Sequence, residues 1–461
     1  MTYNPFRKLI TEPLEEADLA GLVNDRIAEG YYIEYKREFP ENKKVGHSIA
    51  SFANSYGGWY FLGIETNDEN VAVNVVGVDL DHERDPIAKV RDIIKSHVDP
   101  IPIFYIQQVN LAQPQRAVIV VYVPFDQDTP FVTRDGRIYR RTHDSSHPIP
   151  ETDRYAIDRL VEDGQNNKEI FAKFCRDERT FSVHEGENRN IGWLNIFIKP
   201  YSYQPISRME WGIPQLRTLL QCSRQNFEIA HGYEDIEIDG SLPFSSIFPT
   251  QKSIVLKQNE PHYLAFQGLT VELFYDGRAK FHIPINFFNP GFYDVDEERF
   301  RLQGITAQGP IDLFSEIIRA ENREAGIDHL LFFDAGQLSM SVLTLATYYL
   351  DWLEYENNLL IGTKIAVRVN GAWRAIPYFD DDDWSAHVRE FGFPIGKNDT
   401  VVFPETIGEG RNIDVSQKYN LGACLAEIIG LIFGFPPETH HLAIGHLLQK
   451  RLDAQQNAQQ P

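Results

Sequence analysis

Two acids and a lysine lie close together at the start of the stretch Glu29 to Glu65, EGYYIEYKREFPENKKVGHSIASFANSYGGWYFLGIE. Residues two apart in a strand share a face, so Glu34 and Lys36 point one way while Ile33 and Tyr35 point the other. Glu29 lies just upstream, and Glu65 closes the apolar run that follows Gly57-Gly58. Carboxylates gathered beside a lysine suit a divalent-metal nuclease centre, where Mg2+ or Mn2+ is held by carboxylates, water and a substrate phosphate. The plainer alternative is an exposed strand face with a weak surface ion pair. By the same measure Glu29 is a solvated helix end, and Glu65 beside Thr66-Asn67-Asp68 is turn chemistry.

The elements that must position these residues are legible from periodicity. Leu14, Leu19, Leu22, Val23 and Ile27 have helical spacing, and Gly30 marks the exit. Tyr31 to Phe39 reads as a strand broken by Pro40. Val45, Ile49 and Phe52 recur at helical spacing across Asn42 to Ser55, and Trp59 to Ile64 is an apolar strand. A short β-α-β unit of this kind brings Glu29, Glu34, Lys36 and Glu65 together. Gly57 and Gly58 supply the helix-to-strand switch, by φ > 0 or by close approach; a backbone amide cradle for phosphate is the alternative. Asn54 reads as a helix C-cap or as a partner of the Glu34 strand.

Downstream, Asn67 to Asn70 turns into a second β run, Val71 to Val78. Asp85-Pro86 makes an N-cap and N1 pair opening a helix. Strands are expected at Ile103–Val109, Ala117–Val123 and Arg137–Arg141, then a helix from Glu151 to Glu162. The polar stretch Gly164 to Asn167 reads as a domain boundary, dividing the chain into 1–165 and 166–461. In the second part we expect helices at Lys168–Arg176, Pro214–Ser223, Ile311–Arg323, Ser339–Tyr355, Leu421–Phe433 and Thr439–Leu452. Strands are expected at Ile191–Lys199, Ile254–Leu256, Tyr263–Phe266, Thr270–Tyr275, Lys280–Ile285, Lys364–Val369 and Ala372–Ile376. The fold class is therefore α+β: a mixed α/β N-terminal domain and a C-terminal α+β domain ending in helices.

The ordered motifs resemble the Schlafen AlbA-like domain, also described as a divergent AAA-type or DNA-binding domain. They are Glu29-x-x-x-x-Glu34-Tyr35-Lys36, Ser48-Ile49-Ala50-Ser51-Phe52-Ala53-Asn54-Ser55-Tyr56-Gly57-Gly58, Gly63-Ile64-Glu65 and Val76-Gly77-Val78. Pro100-x-Pro102 and Gly136-Arg137-Ile138-Tyr139-Arg140-Arg141 complete the series. The resemblance implies a metal-dependent endoribonuclease cutting structured RNA, tRNA above all, in phage defence or a stress response. It assigns Glu29, Glu34 and Glu65 as ligands of Mg2+ or Mn2+, with Asp68 as the alternative third acid. Lys36 would then stabilise developing charge. Arg37, Lys43, Lys44, Arg137, Arg140 and Arg141 would hold the nucleic-acid backbone. Characterised members pair two related lobes; only one is visible here, which implies a homodimer. The ATPase label has no support, since no G-x-x-x-x-G-K-[ST] occurs.

A net charge of −22 weighs against a duplex-coating protein, so nucleic-acid contact must come from local basic clusters. Lys43 and Lys44 near a helix start oppose the dipole, which favours an external reason such as phosphate. Tyr31, Tyr32, Trp59 and Tyr139 suit stacking on unpaired bases, although aromatics in strands are more often core or cross-strand partners. Three dispersed cysteines fit a reducing, cytoplasmic setting. No signal peptide and no membrane-spanning run is visible. His440, His441 and His446 make a poor zinc site, and Asp380 to Asp383 reads as a solvated loop. RNA, and secondarily single-stranded DNA, are the expected partners. A non-catalytic nucleic-acid-binding regulator and a protein-interaction scaffold are the other two readings.

Overall fold

The β-α-β unit is present and sits at the edge of the N-terminal sheet. The computed structural model describes residues 3–176 except 7, 9–12, 83–84, 126 and 143–144. It also describes 191–201, 244, 246–258, 268–287, 305, 307–321, 331–355, 362–392, 396–404, 411–414 and 418–434. Helix α1 (Glu16–Asn24) opens the fold, with Asp18 accepting the Glu15 N–H at 2.8 Å. Strand β1 (Ile33–Lys36) is followed by α2 (Asn42–Ala53) and β2 (Gly58–Leu62). β1 and β2 run parallel, Glu34 opposite Tyr60, because α2 provides the crossover that parallel pairing requires. Both readings of the double glycine hold. Gly57 has φ +72, and a Cβ on Gly58 would lie 2.3 Å from the Phe52 ring.

Strands β3 (Ile64–Thr66) and β4 (Ala72–Val75) form the expected hairpin, with Asn67 Oδ1 accepting the Glu69 and Val71 N–H groups. β5 (Val78–Asp79) precedes α3 (Pro86–His97), whose N-cap Asp85 accepts the Ala88 N–H at 2.9 Å. Then come β6 (Val98–Asp99), β7 (Tyr105–Asn110), β8 (Arg116–Val123), β9 (Val132–Thr133), β10 (Tyr139–Thr142) and β11 (Ser145–Pro150). The sheet order is β1-β2-β8-β5, with β7 also on β8. One face packs Tyr60, Leu62, Val121 and Val123 with residues of α2 and α3; the other packs Ile33, Tyr35, Trp59 and Phe61 with those of α1. Covering on both faces explains the unbroken apolar run of β2, and it buries the face that carries Glu34.

Helix α4 spans Arg154–Arg176. It corrects the expected break at Gly164 to Asn167, where the helix continues without interruption. The polar stretch is a contact surface: Thr129 Oγ1 donates to Leu160 O at 2.7 Å, and Asn167 Nδ2 to Gln127 O at 3.2 Å. Gly164 is required because a Cβ there would lie 1.9 Å from Thr129 O. Farther along, Phe171, Phe174 and Cys175 pack on Phe197, Phe274 and Ala366.

The C-terminal sheet is built from β12 (Ile191–Pro200), β13 (Ser246–Pro249), β14 (Ser253–Lys257), β15 (Thr270–Phe274) and β16 (Ala279–Asn286), while β17 (Leu331–Asp334) lies outside it. β18 (Gly362–Asn370), β20 (Thr400–Phe403) and β21 (Arg411–Asp414) extend it, and β19 (Ala375–Tyr378) pairs β17. The order is β13-β14-β15-β16-β12-β18-β20. Helices Gln308–Glu321, Ala335–Tyr355 and Lys418–Phe433 contribute to its apolar core. Asp380 to Asp383 is not a solvated loop. Asp381 caps helix Asp382–Phe391 by accepting the Asp383 N–H, while Asp380 and Asp382 accept those of Ala307 and Gly309. The expected helices at 214–223 and 439–452, the strand at 263–266, and His440, His441 and His446 lie outside the described residues. The α+β class stands. No helix among the described residues is long and apolar enough to cross a membrane.

Lys364 on β18 reaches Asp128 at 2.6 Å, so the same 127–129 loop contacts α4 and the C-terminal sheet. Gly164→Val should therefore destabilise the full chain by about 2–3 kcal/mol through overpacking. Thermal denaturation followed by circular dichroism checks this, and a melting curve like that of the native chain would contradict the close approach.

Candidate nucleic-acid interface

Strand β1 places Glu34 under α2 rather than in solvent, and the residue is only 1% exposed. A carboxylate so buried must be paired and hydrogen-bonded. Glu34 Oε1 accepts from Ser48 Oγ at 2.9 Å and lies 2.9 Å from Lys36 Nζ. Its Oε2 accepts from Arg141 at 2.7 Å. Arg141, 2% exposed, donates also to Gly30 O at 2.6 and 3.1 Å and to Ile33 O at 3.3 Å. Its guanidinium lies 4.3 Å over the Phe52 ring. This pair ties β10 to β1 and α2.

Glu29 joins the edge of this cluster. Its Oε1 accepts the Tyr35 N–H at 2.8 Å and stands 3.8 Å from Lys36 Nζ. Burial pushes its pKa above the usual carboxylate value and Glu34 adds to the rise, while Lys36, the Tyr35 N–H and His147 oppose it. Lys36 also donates to Tyr35 O at 2.9 Å. Glu29, Glu34 and Lys36 are thus brought together as expected. Glu65 engages Arg37 at 2.6 Å on the half-exposed β3 hairpin.

The donor set does not fit a three-carboxylate metal centre. Arg141, Lys36 and Ser48 take up the Glu34 oxygens, Glu65 is turned to Arg37, and Asp68 sits in the β3–β4 turn. Among the described residues no group of three or more His, Cys, Asp or Glu is placed to hold a metal ion. As they stand, Glu34 and Glu65 are engaged by Arg141, Lys36, Ser48 and Arg37, and Glu29 Oε1 by the Tyr35 N–H.

The expected backbone-binding cations divide into two sets. Arg141 is buried and engaged, so it holds the fold together instead of meeting a phosphate. Arg140 pairs Glu151 at 3.0 Å. Arg37, Lys43, Lys44 and Arg137 are exposed, and Lys43 meets the equally exposed Glu41 at 2.9 Å. Lys43 and Arg137 lie on a face that sequence reading missed. His47 on α2 stacks on Tyr139, ring centroids 3.9 Å apart, with Asp135 at 3.5 Å. Its imidazole pKa is lowered chiefly by burial, with Lys43, His97 and Arg137 adding to the fall and Asp135 opposing it. Lys43 lies one turn before His47 on α2, α3 brings His97 against the neighbouring Gly46, and the β9–β10 turn carries Arg137 beside Asp135. The helical register of Lys43 and His47 was visible in the sequence; the approach of α3 and the β9–β10 turn was not.

Asn54 is a C-cap whose side chain does something else. Its amide bonds Phe131 N, Phe131 O and Tyr139 O, pinning β10 to α2. The Gly57 amide donates to Phe52 O, so it caps the helix and gives no support to a phosphate cradle. Trp59 and Tyr139 are buried.

Residues 29–150, which hold these elements, match the family Schlafen, AlbA_2. This region is a Schlafen AlbA_2 domain. The match points to a nucleic-acid-related function. No curated protein matches the sequence. Among solved structures, the DIP2311 protein from Corynebacterium diphtheriae is 16% identical, covering 49% of this chain and 40% of its own, with a TM-score of 0.20. The chain thus spans about two fifths of that structure's length.

Two outcomes follow for the acids of this Schlafen AlbA_2 domain. Arg141→Met strands Glu34 and should cost roughly 3–5 kcal/mol, with strong coupling to Glu34→Gln in a double-mutant cycle; additive losses would contradict the buried pair. For Glu29 the folded pKa is raised above the ordinary value of 4.5. Its contribution to stability is therefore present below that value and lost as pH rises through the folded pKa. Glu29→Gln should gain in Tm relative to the native chain as pH rises from the ordinary value of 4.5 through the folded pKa, measured by calorimetry.

Proposed function

We propose that the Schlafen AlbA_2 domain binds nucleic acid without itself presenting a three-carboxylate catalytic centre. The observation that carries this reading is the face where Lys43, one turn before His47 on α2, lies beside the β9–β10 turn that holds Arg137 and brings Asp135 to 3.5 Å from the imidazole, in a chain whose net charge is −22. A nucleic-acid partner is held largely by phosphate contacts to Lys and Arg, and a local basic face is the minimum such binding needs. Asp135, held ionised by hydrogen bonds from Thr133 and Tyr139, offsets part of this charge at 3.5 Å from His47. The Lys43–Glu41 pair is solvent-exposed, and such pairs exchange for a phosphate at little cost.

Lys43→Ala and Arg137→Ala should each weaken binding of RNA about equally across sequences and lower the salt slope by about one. His47 adds a pH component. Its folded pKa lies below the usual value, and a phosphate stabilises the protonated ring, so affinity should rise as pH falls through that pKa. His47→Gln should flatten the profile. The charged and titratable neighbours bearing on this histidine are Lys43, His97, Arg137 and Asp135, with Tyr139 stacked on it. Titrating labelled tRNA and single-stranded DNA by fluorescence anisotropy at several salt concentrations tests both; unchanged slopes in both alanine variants would remove this face from the interface.

The competing reading is a metal-dependent endoribonuclease acting on structured RNA such as tRNA, in phage defence or a stress response. It is favoured by Glu29, whose raised pKa beside Glu34 and Lys36 is the kind of perturbation proton-transfer groups show. Incubating the full chain with tRNA, rRNA and single-stranded DNA in Mn2+ or EDTA, beside Glu29→Gln, separates the two. Binding without cleavage supports the binding module. Cleavage that needs Mn2+ and disappears in Glu29→Gln overturns it.

A further inference from the structure

Five aromatic rings of the N-terminal domain meet one another in succession. Phe125 meets Tyr56 at 5.7 Å between centroids, Tyr56 meets Tyr31 at 5.4 Å, Tyr31 meets Tyr32 at 5.2 Å and Tyr32 meets Tyr3 at 5.3 Å. Tyr56, Phe125 and Tyr3 are 51%, 43% and 38% exposed, and Tyr31 and Tyr32 are half-buried. We infer that this strip is a stacking platform for the unpaired bases of a single-stranded nucleic acid, a deepening that rests on the nucleic-acid reading above.

The strip is held rigid from beneath. Arg141 binds the carbonyls of Gly30 and Ile33, at either side of Tyr31 and Tyr32, and Tyr32 O accepts the Trp59 N–H at 2.7 Å. Ser55 hydrogen-bonds the Tyr31 hydroxyl, while its own Oγ accepts the Arg141 N–H at 3.1 Å. The backbone under the two central rings is therefore fixed before any ligand arrives, which lowers the ordering cost of binding.

The chemistry of the strip selects the occupant. It is a succession of ring contacts, two tilted, one edge-on and one stacked, that carries four phenol hydroxyls. A stable protein interface buries about 800 Å² per partner around a broad apolar centre; a succession of phenol rings suits a strand of bases better. Arg140, paired with Glu151 at 3.0 Å, lies near enough to Tyr31 to act on it electrostatically. Paired bases hide their faces and unpaired ones offer them, and every base can stack on an aromatic ring. β10 runs directly from the turn that carries Arg137 to Arg140, so one strand links the basic face to the strip.

The test is anisotropy of the full chain with a labelled single-stranded RNA of roughly 12 nucleotides and a duplex of equal length. Tyr56→Leu keeps apolar bulk and removes the ring, while Tyr56→Trp keeps a ring. The expected result is roughly tenfold weaker single-strand binding for Tyr56→Leu, near-native binding for Tyr56→Trp, and duplex binding unchanged in both. If Tyr56→Leu lowers the melting temperature, Phe125→Leu carries the same comparison at a second exposed ring. Native single-strand affinity in both leucine variants, with binding still lost in Lys43→Ala, overturns the platform and leaves the basic face intact. No binding of either probe by the native chain removes the nucleic-acid reading itself. A dimer in sedimentation that Tyr56→Leu dissociates, with oligonucleotide affinity unchanged, makes the strip a self-association surface and overturns the proposal.

Discussion

The buried ion pair between Glu34 and Arg141 is the constraint on which the N-terminal domain depends. Two charges removed from water are costly unless their mutual attraction is joined by further hydrogen bonds. Here both conditions are met: Ser48 and Lys36 complete the carboxylate, and the carbonyls of Gly30 and Ile33 complete the guanidinium. The partners are 107 residues apart in sequence. Their contact closes the β10–β11 hairpin over α2, with Asn54 fixing the adjoining backbone at Phe131 and Tyr139. Phe52 serves twice, lying beneath the guanidinium and packing where any Cβ on Gly58 would collide. The S-F-A-N-x-x-G-G stretch is in this sense a packing motif, with Phe52 under the guanidinium, Asn54 on the β10 backbone and Gly58 against the Phe52 ring.

Under the proposed nucleic-acid-binding role, an acidic chain must still hold a polyanionic partner. Charges separated by more than a Debye length, about 8 Å at physiological salt, are largely screened. The distant acids behind a net charge of −22 then slow encounter more than they weaken contact. A local face carrying Lys43, Arg137 and a titratable His47 acts at short range, where screening is weakest. The two effects respond oppositely to salt: added ions relieve the long-range repulsion and erode the short-range attraction. Affinity is thus set by the few cations the fold leaves at the surface, and burying Arg141 removes one of them for the sake of structure.

What the sequence made legible was local. Two-residue alternation placed Glu34 and Lys36 on one face, the run from Val45 to Phe52 gave α2, Asp85-Pro86 gave the start of α3, and Gly57-Gly58 gave the switch into β2. None of these required knowledge of a distant neighbour. The missed features all did. Alternation shows that Glu34 and Lys36 share a face but not that α2 covers it, so a buried structural acid and an open ligand look alike. The polarity of Gly164 to Asn167 is what a linker shows, and equally what a helix shows when Gly164 must let a loop carbonyl approach. Asp380 to Asp383 is what a solvated loop shows, unless the N–H groups of Ala307 and Gly309 lie opposite. In His47 the imidazole gains its meaning from His97 and Arg137, brought in by α3 and the β9–β10 turn.

The same pair that takes Glu34 out of contention as an open metal ligand gives the aromatic strip its rigidity, and the two consequences are physically linked. A carboxylate free to bind and release a cation needs unspent lone pairs and some freedom to move. Glu34 has given its lone pairs to donors on three elements, and the loop above it has lost its freedom in exchange. Glu29, at the rim, keeps more of both, and it is Glu29 whose ionisation the surroundings resist. Chemistry in this cluster, where any occurs, would therefore begin at Glu29 and stop short of Glu34. Binding asks for the opposite property, a surface whose rings are already in place. By holding Gly30 and Ile33 fixed, Arg141 provides the rigidity that the proposed recognition role asks for.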